Sequence, residues 1–461
     1  MAGKIKRGCL IPLLIGLLLF AGLILLSLTA RATAPGWPMR VEGVRLEPLL
    51  PPLDALDITK ENGAWYLMNP TVNYDLSEAE DDEAKSIELA GDWRSCTNML
   101  AWMEANPDWL APLRGCSAAA HHQVPTVSNI QTSVGYVMSK QDINRRLRLW
   151  MDMKAAAHDW EAVEEAMTIS LDLGHTVSSG GTLINHLVGG LSVFETTGSM
   201  QHFRETEELS PSVAKAWQEL LHRHRARSQP LAETFRYERL FAQDAVQLAY
   251  GQGIGAAFGG GGPNLPYLSP LMMLFGSSPK KTAAHFDDLY SHLIHEAGLP
   301  VYSNHADKVV EDFFSNPTYL TYLSPDPMGR ILGGLLLPTL QSSRISEAKV
   351  QLNVDLTDVA LGIERWTAEQ DELPEHLADL VPEYLVAVPV DPFDPAGGLI
   401  RYVSSNESWR IYSVWNDFKD DGGEVHFQMP GMRRVKEGAD YILFSDHDAR
   451  AKALREKKAA E

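Results

Sequence analysis

Cysteine is scarce: the 461-residue chain has three, none in a Cys-x-x-Cys pair, which excludes a redox or zinc site built on thiols. Gly-x-Ser-x-Gly is absent, and no nucleophile arrangement stands out. A basic excess is missing as well. Forty Lys and Arg against sixty Asp and Glu give a net charge of −20, so nucleic acid, which takes a basic face, is excluded as a partner. The glycine-rich run "GQGIGAAFGGGGPN", 251–264, lacks the Lys-Ser or Lys-Thr of a phosphate loop and follows no strand pattern. It reads as a hinge.

Apolar residues make up 45% and charged residues 22%, the balance of a folded protein, and the length allows two or three domains. Lys4, Lys6 and Arg7 precede an uncharged run from Leu10 to Leu28, roughly 19 residues against the ~20 that span a bilayer. The flanking cations predict a single-pass inner-membrane helix with the rest of the chain extracytoplasmic. The alternative is a signal cut near Ala32, at the small-x-small "ARA" of residues 30–32, which would leave a secreted protein. In an oxidising compartment Cys96 and Cys116 can pair as a disulfide; two separate thiols are the other reading.

The chain then divides. Residues 1–32 are the anchor or signal, and 33–82 a Pro-rich spacer ("APGWPM", "EPLLPPLDAL") with an acidic lead-in. Residues 83–250 are an α-helical hairpin domain. Leu147, Met151 and Ala155 share one helical face, and after the "HDW" break Trp160, Val163, Met167 and Leu171 share another. Ser210 before Pro211 is a helix start. No regular repeat period is visible, so the body is solenoid-like without repeat status. Residues 251–330 form the hinge and a helical connector, with a helix near 280–297. Residues 331–461 hold the rest of a long helix from about 326 to 370, bent near Pro338, and then a small α+β module. Ile345, Ala348, Leu352, Leu356, Val359, Ala360 and Ile363 make an amphipathic stripe that predicts core packing. "LIRYVSS" and "SWRIYSVWN" alternate as a hairpin, "DYILFSD" is a third strand, and 450–461 is a terminal helix.

The order of a long helix, "LPEHLADLVPEYL", "PVDPFDPAGGLIRYV", "WRIYSVWNDFKDDGG" and "DYILF" resembles the globular domain of type II secretion major pseudopilins over about a quarter of the chain. It is still more similar to the C-terminal module of large membrane-anchored planctomycete-type bacterial proteins without an assigned activity. The pseudopilin resemblance implies a calcium ion in the loop after Tyr412–Ser413, with Asp417, Asp420, Asp421 and Asp440 at the matching acidic positions. Calcium takes six to eight oxygens on a bendable loop, and Gly422 and Gly423 permit the bend. Trp415 and Phe418 stand where that family has glycine, which implies a rebuilt loop, because bulky residues resist positive φ. Lys419 adds a cation. A solvated acidic turn fits the same residues. The methylated pilin N-terminus is missing, and roughly 300 residues separate the anchor from the pseudopilin-like helix, which argues against assembly into a pseudopilus.

Elsewhere, Asp288, His292 and Glu296 in "KTAAHFDDLYSHLIHEAG" are spaced i, i+4, i+8, which puts them on one helical face as a candidate metal set; a polar solvent face is the plainer reading. His121 and His122 sit in a loop with no carboxylate close in sequence. "LHRHRAR", 221–227, is a basic helix end that reads as solvated or as a contact for an acidic partner. The expectation is a mainly α protein: a helical-hairpin body, a small pseudopilin-like α+β module and an N-terminal transmembrane helix. Its role is binding or scaffolding at the envelope, with a membrane contact and a protein partner, and calcium as the one candidate cofactor. The alternatives are a metal-dependent enzyme using the helix near 285–296 and a secretion-system component.

Overall fold

The computed structural model describes residues 59–90, 93–125, 135–252, 279–302, 326–405, 408–423 and 440–445. The Leu10–Leu28 run, the Pro-rich spacer before residue 59, the glycine-rich stretch from 253 and the segment 450–461 lie outside them. Among the described residues no helix is long and apolar enough to cross a membrane.

Eleven helices carry the fold among the described residues. They are α1 (Gly63–Met68), α2 (Glu78–Ala90), α3 (Thr97–Ala105), α4 (Ala111–Ser117), α5 (Gly135–Ala155), α6 (Trp160–Ser178), α7 (Leu183–Thr206), α8 (Pro211–Arg227), α9 (Leu231–Gln252), α10 (Pro279–Glu296) and α11 (Pro327–Gln370). Three short strands follow: β1 (Arg401–Ser404), β2 (Trp409–Ser413) and β3 (Tyr441–Phe444). They form an antiparallel sheet in the order β1-β2-β3. Tyr402 faces Ile411, and Ile411 faces Leu443.

Local chemistry sets the helix boundaries. Ser210 caps α8 by accepting from Val213 N at 3.4 Å, with Pro211 at the first helical position. Asp159 caps α6 through Ala162 N at 3.3 Å and takes Lys154 Nζ at 2.9 Å, so the "HDW" break becomes a tight corner. His158, at φ 55°, makes the reversal. The faces predicted for α5 and α6 are buried: Leu147, Met151, Ala155, Val163, Met167 and Leu171 belong to one large core. Helices α6 and α7 approach closely. A Cβ on Gly189 would lie 2.6 Å from the Gly174 carbonyl, so only glycine lets these backbones meet.

The acidic lead-in folds onto the body. Glu80 meets Arg146 at 2.9 Å, and the buried guanidinium lies over Trp102 at 3.6 Å. Cys96 and Cys116 are both buried, and no disulfide joins them. Cys96 Sγ points to Glu83 O at 3.7 Å and Cys116 Sγ to Thr176 Oγ1 at 3.9 Å, so of the two readings of this pair the structure has the separate thiols, each in its own packing role.

Helix α11 joins the two parts. It runs through Pro338 as one helix. The whole stripe from Ala348 to Ile363 lies in the core of the C-terminal module, with Ile345 packed against it. Val354 and Leu361, on the other side of the same helix, belong to the body's core. Body and module therefore share one helix with two apolar faces.

Candidate functional site

Three places carry the predicted chemistry, and the first is the loop of the C-terminal module. Asp391 is wholly buried and accepts from Phe393 N (3.0 Å), Ser413 Oγ (2.6 Å), Val414 N (2.9 Å) and Arg401 Nη1 (3.1 Å). Arg401 also reaches Asp394 at 2.5 Å and, through Nε, Asp420 at 2.7 Å. One guanidinium thus joins three carboxylates, in the planar fork geometry that suits arginine. Backbone donation from Ala396, then Arg401, hold the Asp394 carboxyl below its usual range. Burial opposes ionisation of Asp420, but Gly422 N–H and Arg401 outweigh it and lower that carboxyl too.

Of the predicted calcium residues, Asp417 accepts from Lys419 N at 3.1 Å as a turn cap. Asp420 faces Arg401, and the side chain of Asp421 is exposed. Asp440 Oδ2 takes Asp421 N at 3.2 Å and Gly423 N at 2.8 Å, while its Oδ1 is buried without a partner. Burial raises its carboxyl. Among the described residues no group of three or more metal-ligating side chains is arranged to hold an ion. Trp415 and Phe418 do adopt left-handed φ, at 56° and 61°, contrary to the expectation from their bulk. Each such residue costs on the order of 1–3 kcal/mol. Packing offsets it: Trp415 stacks on Tyr441 at 4.7 Å, and Phe393 meets both Trp415 and Phe418.

The second place is the His-rich helix α10. Asp288 and His292 are exposed. Glu296 is buried against Arg344 of α11 at 3.1 Å. Eight residues rotate a helix by about 80° away from alignment at 3.6 residues per turn, which turns Glu296 inward while Asp288 stays in water. The set is not brought together. His285 instead meets Asp326, the cap of α11, at 2.8 Å.

The third place is the "LHRHRAR" end of α8, where Arg223, Arg225 and Arg227 are exposed as a solvated face, while His222 and Arg225 also meet acidic side chains of the same chain. The acidic partner of this helix end is α11. His222 Nε2 lies 2.9 Å from Asp358 Oδ2, Arg225 pairs with Asp355, and Gln218 Nε2 donates to Asp358 and to Tyr384 O. Asp358 raises the His222 imidazole, and burial pushes the Asp355 carboxyl up to about 6. Beyond this seam Arg227 reaches Asp172 on α6 at 2.5 Å, and Asp172 also accepts from Ser117 Oγ. Three imidazoles gather there. His122 Nδ1 is 2.8 Å from Thr176 Oγ1, and its ring lies 5.6 Å from that of His175. His224 Nε2 is 3.2 Å from Ser228 Oγ, and its buried Nδ1 has no partner. Burial, reinforced for each by the nearby Arg227 charge, pushes His175 and His224 down to about 4.

Comparison with known protein families, curated proteins and solved structures gives no match.

Proposed function

We propose that this chain is a membrane-anchored, extracytoplasmic binding or scaffolding protein of the cell envelope that offers its C-terminal module to a protein partner. One observation carries the reading. Of the seven large apolar side chains exposed among the described residues, five fall between 381 and 403: Val381, Val386, Val390, Leu399 and Val403. Val390 and Leu399 pair across an antiparallel bridge, and Val403 lies on β1, an edge of the sheet. Val386 is 80% exposed. Each such side chain gains roughly 1.5–3 kcal/mol on full burial, and concentration of apolar surface in one part of a protein marks a contact site. The shared helix α11 supports the same reading, since it transmits the position of the body to the module without a loose joint.

The envelope address rests on Leu10–Leu28 and its flanking cations. A long helix followed by an antiparallel three-stranded sheet is consistent with the pseudopilin-like reading of 331–461, and a module with several exposed apolar side chains also fits a secretion-system component. The enzyme alternative finds no support on α10, where Glu296 is bound to Arg344 and His292 faces water.

Calcium at Asp417, Asp420, Asp421 and Asp440 is a second reading, favoured by the unpartnered Oδ1 of Asp440. A calcium-linked rise in melting temperature that Asp440→Asn abolishes supports it; no shift at millimolar calcium removes it. For the main reading, a phosphatase reporter fused after Glu461 should be active outside the cytoplasm. The Val386→Asp/Leu399→Asp chain should fold and melt like wild type yet migrate as a smaller species when extracted from its native membrane. A reporter active only in the cytosol, or an unchanged extracted size, would refute it.

A further inference from the structure

The three-histidine cluster lies outside the reading above, and its geometry is unusual. His122 comes from the segment after α4, His175 from α6 and His224 from the last turn of α8. Asp172 acts electrostatically on all three, and its two oxygens are already taken by Ser117 Oγ and Arg227 Nη2. Gly63 of α1 closes the cluster: a Cβ there would lie 2.9 Å from Thr176 Oγ1 and 3.0 Å from His122 Nδ1. The tautomer of His224 follows from its neighbours. Ser228 gives its proton to His224 O at 3.1 Å, so Nε2–H donates to Ser228 Oγ and the buried Nδ1 holds an unshared lone pair. A proton arriving on it would be charged and buried with no acceptor.

We propose that this cluster is an acid-operated latch, which holds the last turn of α8 and the 121–124 segment against α6 at neutral pH and releases them on acidification. The charged and titratable groups around it are few. His121 and His122 come from the loop, Cys116 from α4, Asp172 and His175 from α6, His224, Arg225 and Arg227 from α8, and Glu347 from α11. Arg227 opposes a positive charge on every imidazole of the cluster, His122 and His224 oppose one on His175, and Asp172 favours one on all three, but burial is the largest effect at each and outweighs Asp172. Glu347 favours charge on His224, but its carboxylate is engaged by His186 at 2.8 Å.

The signs decide the direction. His122, His175 and His224 all have folded values below the unfolded one, and 6.5 falls to about 4 for the last two. Their stabilisation of the closed form is full above 6.5 and lost as pH falls toward 4. Asp355 works the other way: raised to about 6, it favours the closed form as pH falls. His222 is raised and already protonated in both forms below 6.5. Two or three protons driving release outweigh one opposing it.

Hydrogen exchange on the full chain between pH 7 and 4.5, corrected for intrinsic rates, tests this. Amides of 121–124, 171–178 and 221–228 should open about tenfold more for each unit of pH per net proton taken up, while 143–151 in α5 stays protected. The His175→Asn/His224→Gln chain, which keeps a polar atom for Ser179 Oγ (3.3 Å from His175 Nδ1) and for Ser228 Oγ, should lose most of that slope. A flat wild-type profile, simultaneous loss of protection in α5, or an unchanged slope in the variant would each overturn the latch. If the double variant fails to fold, the wild-type slope and the protection of α5 still decide.

Discussion

Arg401 holds Asp391 at 3.1 Å where the carboxylate has no contact with solvent. Two backbone N–H groups and one hydroxyl complete the shell of Asp391. This pair fastens the turn before β1 to the end of β2.

Removing one partner of such a pair leaves the rest unsatisfied. Asp391→Ala should lower the stability of the C-terminal module by about 3–5 kcal/mol, read as a lower denaturant midpoint and faster proteolysis within 391–423. Asp417→Ala, which removes only a turn cap, should stay within about 1 kcal/mol of wild type.

The close approach of α6 and α7 predicts a second effect. Gly189→Ala puts a methyl against the Gly174 carbonyl and the Ser178 hydroxyl. The hydroxyl can rotate, but the carbonyl cannot, so the helices must separate. A loss of about 1–3 kcal/mol in chemical denaturation is expected. Gly198→Ala, on the same helix with nothing within 4 Å of the added atom, should be neutral or slightly stabilising.

Burial pushes Glu238, which accepts from Leu183 N at 2.7 Å, up to about 7. A raised carboxyl favours the fold while protonated, so stability falls as pH rises from 4.5 through 7 and then levels. Glu238→Gln keeps an acceptor and cannot ionise. It should stabilise the chain at pH 8, by on the order of 3 kcal/mol at most given 1.36 kcal/mol per unit, and have little effect at pH 5. Equal effects at both values would contradict this origin.

Local pattern made much of the fold legible. The α11 stripe, the Ser210–Pro211 start of α8 and the alternating hairpin are set by neighbours a few residues away. What was illegible depends on distant partners. Nothing near "LHRHRAR" announces Asp355 and Asp358, which lie some 130 residues on, so the basic helix end read as solvated or as a contact for an acidic partner that the local sequence could not name. His122 had no carboxylate close in sequence, yet the fold brings Asp172 to it. Arg401 went unread for the same reason: as part of an alternating strand it reads as an exposed position, and its three carboxylates meet only after the loop closes. Trp415 and Phe418 override their local preference because aromatic stacking with Phe393 and Tyr441 outweighs it.

Site-specific photo-crosslinking tests the docking role of the exposed apolar side chains between 381 and 403 most directly. With the crosslinking residue at Val386 or Leu399 in the full chain, in its native membrane, irradiation should give one discrete adduct with a protein partner. The same residue at Met68, exposed on α1, should give none. Adducts equally strong at all three positions, or none at Val386 and Leu399, would contradict a docking role for these side chains.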